Sequence, residues 1–249
     1  LGLPGDRPRP GSGGGGGCTW EAHLRAALVR AVEGVGRAAG ASAFVTWLTL
    51  FRALLTRVAG RSDLVIGTPF SQRQQTELQG VLGFFLNLLP MRAPGTPERT
   101  FVEALRQEHE AALAAFDHGG VSFARMVRME SGRGVEQAGR LIPTLFVFVE
   151  QGVVPARWLN GSAEEIRVDT GTAKFELMLS MERRADGTLS CAWEFSKDVY
   201  EAATIERTQA QFEALARQVA ARPGVPLARL EFPAMPGGPP TAERADTGV

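Results

Sequence analysis

The stretch from Asp63 to Arg92, DLVIGTPFSQRQQTELQGVLGFFLNLLPMR, constrains this chain more than any other. It joins two short aliphatic runs through a polar loop. Leu64 to Ile66 is stopped by Gly67, and Phe84 to Leu89 is stopped by Pro90. Each run has the length of a strand buried on both faces. Between them lie Thr68, Ser71, Gln72, Arg73, Gln74 and Gln75, a dense set of hydrogen-bonding groups at a strand end. α/β folds place their binding loops at such positions.

The surrounding periodicity predicts helices before this unit and a mixture of helices and strands after it. Residues 20 to 39 carry Leu24, Ala27, Leu28, Ala31, Val32 and Val35 at helical spacing, with Gly34 and Gly36 weakening the last turns. Ser42 is placed to cap a second helix with a broad apolar face, Phe44, Trp47, Leu48, Phe51, Leu54, Leu55 and Val58, ended by Gly60. Thr96 and Pro97 stand where a third helix starts, running through Phe101, Leu105, Ala112 and Phe116 until Gly119 and Gly120 stop it. A short amphipathic piece, Phe123 to Met129, precedes a polar loop from Ser131 to Gly139.

Strands are expected at Leu145 to Glu150, Glu165 to Val168, Phe175 to Glu182 and Leu189 to Phe195, the last two joined by a hairpin turn through Asp186-Gly187. A final helix runs from about Ala202 to Ala221. The order of helices and strands reads as an α/β sandwich with a mixed β-sheet covered by α-helices. Residues 1–17 read as a Pro/Gly-rich linker, with the Gly13 to Gly17 run too costly in entropy to order without a partner. Residues 18–232 form the folded unit, and 233–249, containing PGGPP, read as a flexible linker or tail.

Composition excludes several functions. Lys+Arg and Asp+Glu both total 27, so no net charge steers the chain to nucleic acid or an anionic membrane. No apolar span of 18 residues and no signal-like N-terminus occurs, and the chain reads as soluble and cytoplasmic. Cys18 and Cys191 are too few for a disulfide scaffold and lack metal spacing. Cys191, inside a strand-like run, reads as a small buried hydrophobe. No phosphate loop, GxSxG elbow or HExxH string is present, and no metal site is expected.

Several motifs in order resemble the condensation domains of nonribosomal peptide synthetases. Ile66-Gly67-Thr68-Pro69, Arg73 and Gly83-Phe84-Phe85-Leu86-Asn87 match that family's IGTP, loop Arg and GFFxN. His118 to Phe123 resembles its HxxxPF, with Ser122 in place of Pro, and Arg140 to Phe148 resembles its Arg, Pro and Phe-rich segment. Ala173 to Leu177 resembles AKFDL with Glu176 for Asp, and the opening Leu3 to Pro10 is similar to the DRPRP segment between two lobes. The family's HHxxxDG centre is absent: His23, His109 and His118 are the histidines, and no two are adjacent. The chain therefore reads as the C-terminal lobe of such a domain, cut from a larger polypeptide, which Leu1 in place of Met fits.

The resemblance implies one lobe of a chloramphenicol-acetyltransferase-like fold and an acyltransferase of secondary metabolite biosynthesis that forms amide bonds. Donor acyl or peptidyl and acceptor aminoacyl thioesters would be presented on phosphopantetheine by partner carrier proteins, with no cofactor bound directly. Implied partners are the N-terminal lobe and peptidyl carrier and adenylation domains. The lobe alone is expected to be inactive and to hold no catalytic residue, with Thr68, Ser71, Arg73 and Asn87 lining the acceptor side of the substrate channel. The alternatives are a non-catalytic docking lobe and an ester-forming acyltransferase of the same superfamily. Arg73 equally fits a pair with Glu77 or a cap on carbonyls, Asn87 a buried amide bonded to backbone, and His118 a hydrogen-bonded helix end. Glu176 and Trp193 read as supports of the lobe interface or core.

Overall fold

The computed structural model describes residues 3–9, 15–73, 76–95, 97–131, 141–150, 157–158, 161–162 and 170–232. In chain order the elements are β1 (Gly17–Leu24), α1 (Ala26–Ala38), α2 (Ala43–Ala59), β2 (Asp63–Ser71), β3 (Leu86–Pro94), α3 (Phe101–Asp117), α4 (Phe123–Ser131) and β4 (Thr144–Val149). The two-residue strands β5 (Arg157–Trp158) and β6 (Gly161–Ser162) follow, then β7 (Leu177–Arg183), β8 (Leu189–Ser196) and α5 (Ala202–Ala221).

One six-stranded sheet runs β1-β8-β7-β4-β2-β3. β4 is parallel to both neighbours, β2 and β7, and the outer pairings are antiparallel. The sheet is mixed and helix-covered, as its alternating elements predict.

α2 is the element around which the helical layer assembles. The Ser42 hydroxyl accepts from the Val45 amide at 3.2 Å, and Gly60 ends the helix at φ 62°, a left-handed conformation glycine adopts without a Cβ clash. The apolar face it carries is wide because it is buried on several sides. Phe51 stacks on Phe146 of β4 and meets Trp193 of β8 edge-on, while Trp47 and Trp193 both pack against Phe212 of α5. Burial of each such ring contributes on the order of 1.5–3 kcal/mol. Leu177, Leu179 and Met181 of β7 face this core, whereas Met178 and Ser180 on the other face are half-buried. The hairpin between β7 and β8 closes through Gly187 at φ 80°, and the Asp186 carboxylate accepts from the Thr188 amide and hydroxyl at 2.9 and 2.7 Å.

Four expectations are corrected. Residues 20–24 are strand rather than helix: Cys18, Trp20 and Ala22 alternate with exposed Thr19, Glu21 and His23, and β1 pairs with β8 along its whole length. Gly67 does not stop β2, which continues to Ser71, and Pro90 does not stop β3. Pro69 falls past the last β2 residue paired with β4, and Pro90 sits in an edge strand, so neither missing N–H breaks the sheet. The second aliphatic run also starts later, since Phe84 and Phe85 precede β3. α3 begins at Phe101 rather than at Thr96-Pro97, because Thr100 and Glu103 form a capping box. The Pro97 and Arg99 carbonyls instead accept from Ala228 and Leu227.

The mobility expected of the opening segment does not extend to residues 3–9 or to Gly17. Leu3 is buried, and the Asp6 and Arg7 amides donate to the Val199 carbonyl. Gly17 is the first residue of β1, with its amide bonded to Gly171. The loop 132–139, the strand at Glu165 to Val168 and the tail from 233 lie outside the described residues. Among those described, no single helix is long and apolar enough to cross a membrane.

Candidate functional site

The four predicted site residues lie at one end of the β2/β3 ribbon, and the structure separates their roles. Asn87, the second residue of β3, is buried, and its amide is fully used. Its Nδ2 donates to the carbonyls of Gly119 and Val121 at 3.0 and 2.7 Å, and its Oδ1 accepts from the Phe123 amide at 3.0 Å. A buried amide without partners is costly, and here the backbone between α3 and α4 supplies them. The GFFLN and HGGVSF motifs, distant in sequence, are thus fastened together by one side chain.

Arg73 does the same for the loop between β2 and β3. Nη1 donates to the carbonyls of Leu78, at 2.7 Å, and Val81, while Nη2 donates to Gly83 at 3.0 Å. The guanidinium also lies over the Phe85 ring, 4.4 Å from its centroid. The carbonyl-capping role holds, and no pair with Glu77 is among these bonds. Ser71, at the exposed end of β2, accepts weakly from the Arg73 amide at 3.4 Å. Thr68 sits three residues earlier in β2, buried and opposite Leu89.

Beside these polar fasteners the loop exposes large apolar side chains together with Thr76, Glu77 and Gln79. Leu82 and Phe84 are 99% and 86% exposed, Leu86 is 50% exposed, and Val121, whose carbonyl Asn87 holds, is 39% exposed. Nothing ionisable lies between Val81 and Leu86. A cavity of ≈ 560 Å³ lies at the other end of the ribbon, lined by Arg52, Thr56, Arg57, Pro94, Glu108 and Phe232 among others, and none of the four residues reaches it.

The chain matches the family model described as the condensation domain over residues 1–234. The chain belongs to the condensation-domain family. A linear gramicidin synthase of Brevibacillus parabrevis is 32% identical over 233 residues, which are 92% of this chain and 4% of that protein. The phosphinothricin tripeptide synthetase PhsC of Streptomyces viridochromogenes is 35% identical over 233 residues, 92% of this chain and 21% of that protein. The first condensation domain of the calcium-dependent antibiotic synthetase, solved with a substrate analogue, superposes with a TM-score of 0.76 at 19% identity, covering 92% of this chain and 51% of that one. The chain thus spans a small part of the curated synthetases and about half of a solved condensation domain. The fold is the chloramphenicol-acetyltransferase-like α/β architecture these domains share.

Other condensation-domain motifs in the chain also act as fasteners. Glu176, in the AKFEL string, receives Arg9 of the DRPRP segment in a two-pronged pair, Nε to Oε1 at 2.8 Å and Nη2 to Oε2 at 2.9 Å. The Glu176 carboxylate raises the Arg9 pKa above its ordinary value. Asp6 of the same segment accepts from the Glu201 amide and the Thr204 hydroxyl, both at 2.8 Å, and so caps α5 from outside the helix. His118 is the residue after α3, and its Nδ1 donates to the Ala114 carbonyl at 2.8 Å, the helix-end role its position predicts. Trp193 is wholly buried and donates to Gln209 at 2.8 Å. Cys191 is buried as expected, and desolvation pushes its thiol up to about 12.

Sequence reasoning missed one buried ion pair. Arg52 of α2 meets Glu108 of α3 through Nε and Nη2 at 2.5 and 2.9 Å, and donates to the Leu64 and Met91 carbonyls at 2.7 and 2.9 Å. The signal available was an arginine set amid the apolar residues of α2.

Proposed function

We propose that this chain is the C-terminal half of a condensation domain and that it supplies walls and positioning for amide-bond formation in nonribosomal peptide synthesis. One observation carries the reading: the family match spans residues 1–234, yet the chain covers only 51% of a solved condensation domain. The absent HHxxxDG string is consistent with that half measure.

In the proposed reaction the acceptor amine, on one carrier protein, attacks the thioester carbonyl of the donor on another. A C–N bond forms, the C–S bond breaks, the amine gives up a proton and the departing thiol gains one. Proximity of two tethered reactants and stabilisation of the oxyanion are the physical demands. Phosphopantetheine arrives as the substrates' arm on the carriers, and no residue of this chain is assigned to hold it as a resident group. Thr68, Ser71, Arg73 and Asn87 are assigned to the acceptor side. Ser71 offers an exposed hydroxyl there, and Arg73 and Asn87 act as positioning residues through the loops they fasten. His118 is assigned no proton transfer, since its Nδ1 is engaged with Ala114. The partners are the N-terminal lobe and the carrier and adenylation domains of the same synthetase.

The test joins the chain to an upstream half carrying HHxxxDG and follows transfer between loaded carrier proteins by intact-protein mass spectrometry. Transfer by the joined protein and none by the 249-residue chain is the expected result. Transfer by the chain alone, or a folded joined protein that binds carriers without transfer, would overturn the catalytic assignment, the latter in favour of a docking lobe.

A further inference from the structure

We propose that the cavity of ≈ 560 Å³ between α2, α3, α5 and the segment 227–232 is a binding site for a small amphipathic monoanion, an apolar body carrying one carboxylate. The site lies away from the four acceptor-side residues, and neither it nor its test depends on acyl transfer.

The cavity exists because facing positions are small. Ala53 of α2, Ala93 near the end of β3, Gly95 and Ala104 of α3 all line it, and a longer side chain at any of them would take up the space. Its volume falls in the range of about 300–1,000 Å³ that small-molecule sites occupy, and Leu215, Leu227 and Phe232 give it apolar walls. One polar group in the lining has nothing to bond. Thr56 is 8% exposed, and its Oγ1 is buried without a partner. A Cβ added to Gly95 would stand 2.6 Å from that oxygen, so the hydroxyl is turned from α2 toward another residue of the lining. A buried hydroxyl left unbonded is costly, and an acceptor on a ligand would relieve that cost.

Charge selects the ligand. The lining holds Arg52, Arg57 and Arg61 against Glu98 and Glu108, an excess of one positive charge. Arg52 and Glu108 neutralise each other in their buried pair, and Glu98 is exposed. Arg57 spends Nη1 on the Ala228 and Leu230 carbonyls, at 3.1 and 3.4 Å, and its Nε and Nη2 take no bond among the described residues. The same guanidinium lies 4.7 Å from the centroid of the Phe232 ring, so a cation and an apolar wall stand side by side. Half-buried Arg61 makes one long bond, 3.4 Å, to the Asp63 carbonyl, while the Asp63 carboxylate is taken by Arg92. α2 ends and α3 begins at the cavity, so the partial charges of the two helix ends oppose each other and leave the arginines to set the sign. A guanidinium fork matches a planar carboxylate. A monoanion cancels the single excess charge, whereas a dianionic phosphate overshoots it.

The experiment titrates biphenyl-4-carboxylate, biphenyl-4-carboxamide and biphenyl-4-methylammonium into the 249-residue chain at neutral pH by isothermal calorimetry. The carboxylate is expected to bind one per chain, about tenfold or more tighter than the carboxamide, with the ammonium weakest. Arg57→Gln should weaken the carboxylate about tenfold and leave the carboxamide unchanged, and Ala104→Leu should abolish binding of both by filling the cavity. Thr56→Val keeps the shape, removes only the hydroxyl and should weaken the carboxylate about fivefold, which locates the site should Ala104→Leu melt early. Equal binding of the three probes, or none at millimolar concentration, overturns the proposal. So does carboxylate binding that a folded Ala104→Leu or Thr56→Val leaves unchanged. Arg57→Gln weakening carboxylate and carboxamide alike would reduce that arginine to a support for Phe232 and overturn the choice of an anion.

Discussion

Arg52 and Glu108 form a fully enclosed ion pair whose side chains are 5% and 2% exposed, and the guanidinium also reaches one carbonyl on each of β2 and β3. Four elements meet at this one cation. Removing one member of a buried pair strands the other, which costs about 3–5 kcal/mol, whereas replacing both with apolar residues is often neutral. Arg52→Ala is therefore expected to be severely destabilised in urea titrations and Arg52→Met with Glu108→Leu far less so. Equal losses in the two variants would show that the carbonyl contacts matter more than the pair.

Gly67 is required by closeness, not by a turn. A Cβ there would lie 2.5 Å from Ile142 Cγ2 and 2.8 Å from Leu145 Cδ1. Gly67→Ala should cost about 1–3 kcal/mol through overpacking, and Gly67→Val should fail to fold or melt far below the parent. Thermal melts of both variants within a few degrees of the parent would contradict this.

Asp6 caps α5 across nearly the whole chain. Its removal by Asp6→Ala should cost about 1 kcal/mol, the usual value of a helix cap, and should speed proteolysis of residues 3–9. Asp6→Asn keeps one of the two accepting oxygens, since the Glu201 amide and the Thr204 hydroxyl use one each, and should fall between the parent and Asp6→Ala. Proteolysis unchanged in Asp6→Ala would mean that Leu3 and Arg9 suffice to dock the segment.

Cys191 couples stability to alkaline pH. Its thiol titrates near 9 when unfolded and is pushed up to about 12 by burial in the fold. The unfolded chain therefore ionises first, and stability present below pH 9 falls by up to about 1.4 kcal/mol per pH unit between those values. Cys191→Ala should flatten that slope in denaturant titrations from pH 8 to 11. In the native protein a thiol reagent at pH 8 should modify half-buried Cys18 before Cys191.

Arg73→Ala should free the Leu78, Val81 and Gly83 carbonyls and speed hydrogen exchange over 76–85 severalfold, leaving the global melting temperature nearly unchanged. In the joined two-half domain it should also slow acyl transfer. Arg73→Lys should rescue neither, because an ammonium lacks the planar fork that reaches several carbonyls at once. Rescue by lysine would reduce the role of Arg73 to charge alone.

Where the sequence carried a local signal with a single physical meaning, it was legible. Ser42 and Gly60 bound α2, Asp186-Gly187 turns the β7/β8 hairpin, and the 3.6-residue spacing from Ile205 to Val219 gives α5. The misreadings arose where distant partners decide. β1 looks like the front of a helix until β8 lies beside it, and prolines that seem to end strands are harmless at an edge or beyond the last parallel pair. At the candidate site the residues were legible but not their bonds. Arg73 and Asn87 stood out as polar groups beside apolar runs, yet their partners are main-chain carbonyls, which every residue has and no side-chain pattern announces.

Gly17 pairs with Ser196 and Leu24 with Leu189, so the first strand of the sheet is adjacent to the last. During synthesis the N-terminal strand must wait, unpaired, until nearly the whole folded unit has left the ribosome. Pairings of such long range are intrinsically slow to form and leave strand edges open meanwhile. The vulnerable moment in the life of this chain is therefore its birth, and a stall or truncation before β8 would release a sheet with no place for its own beginning.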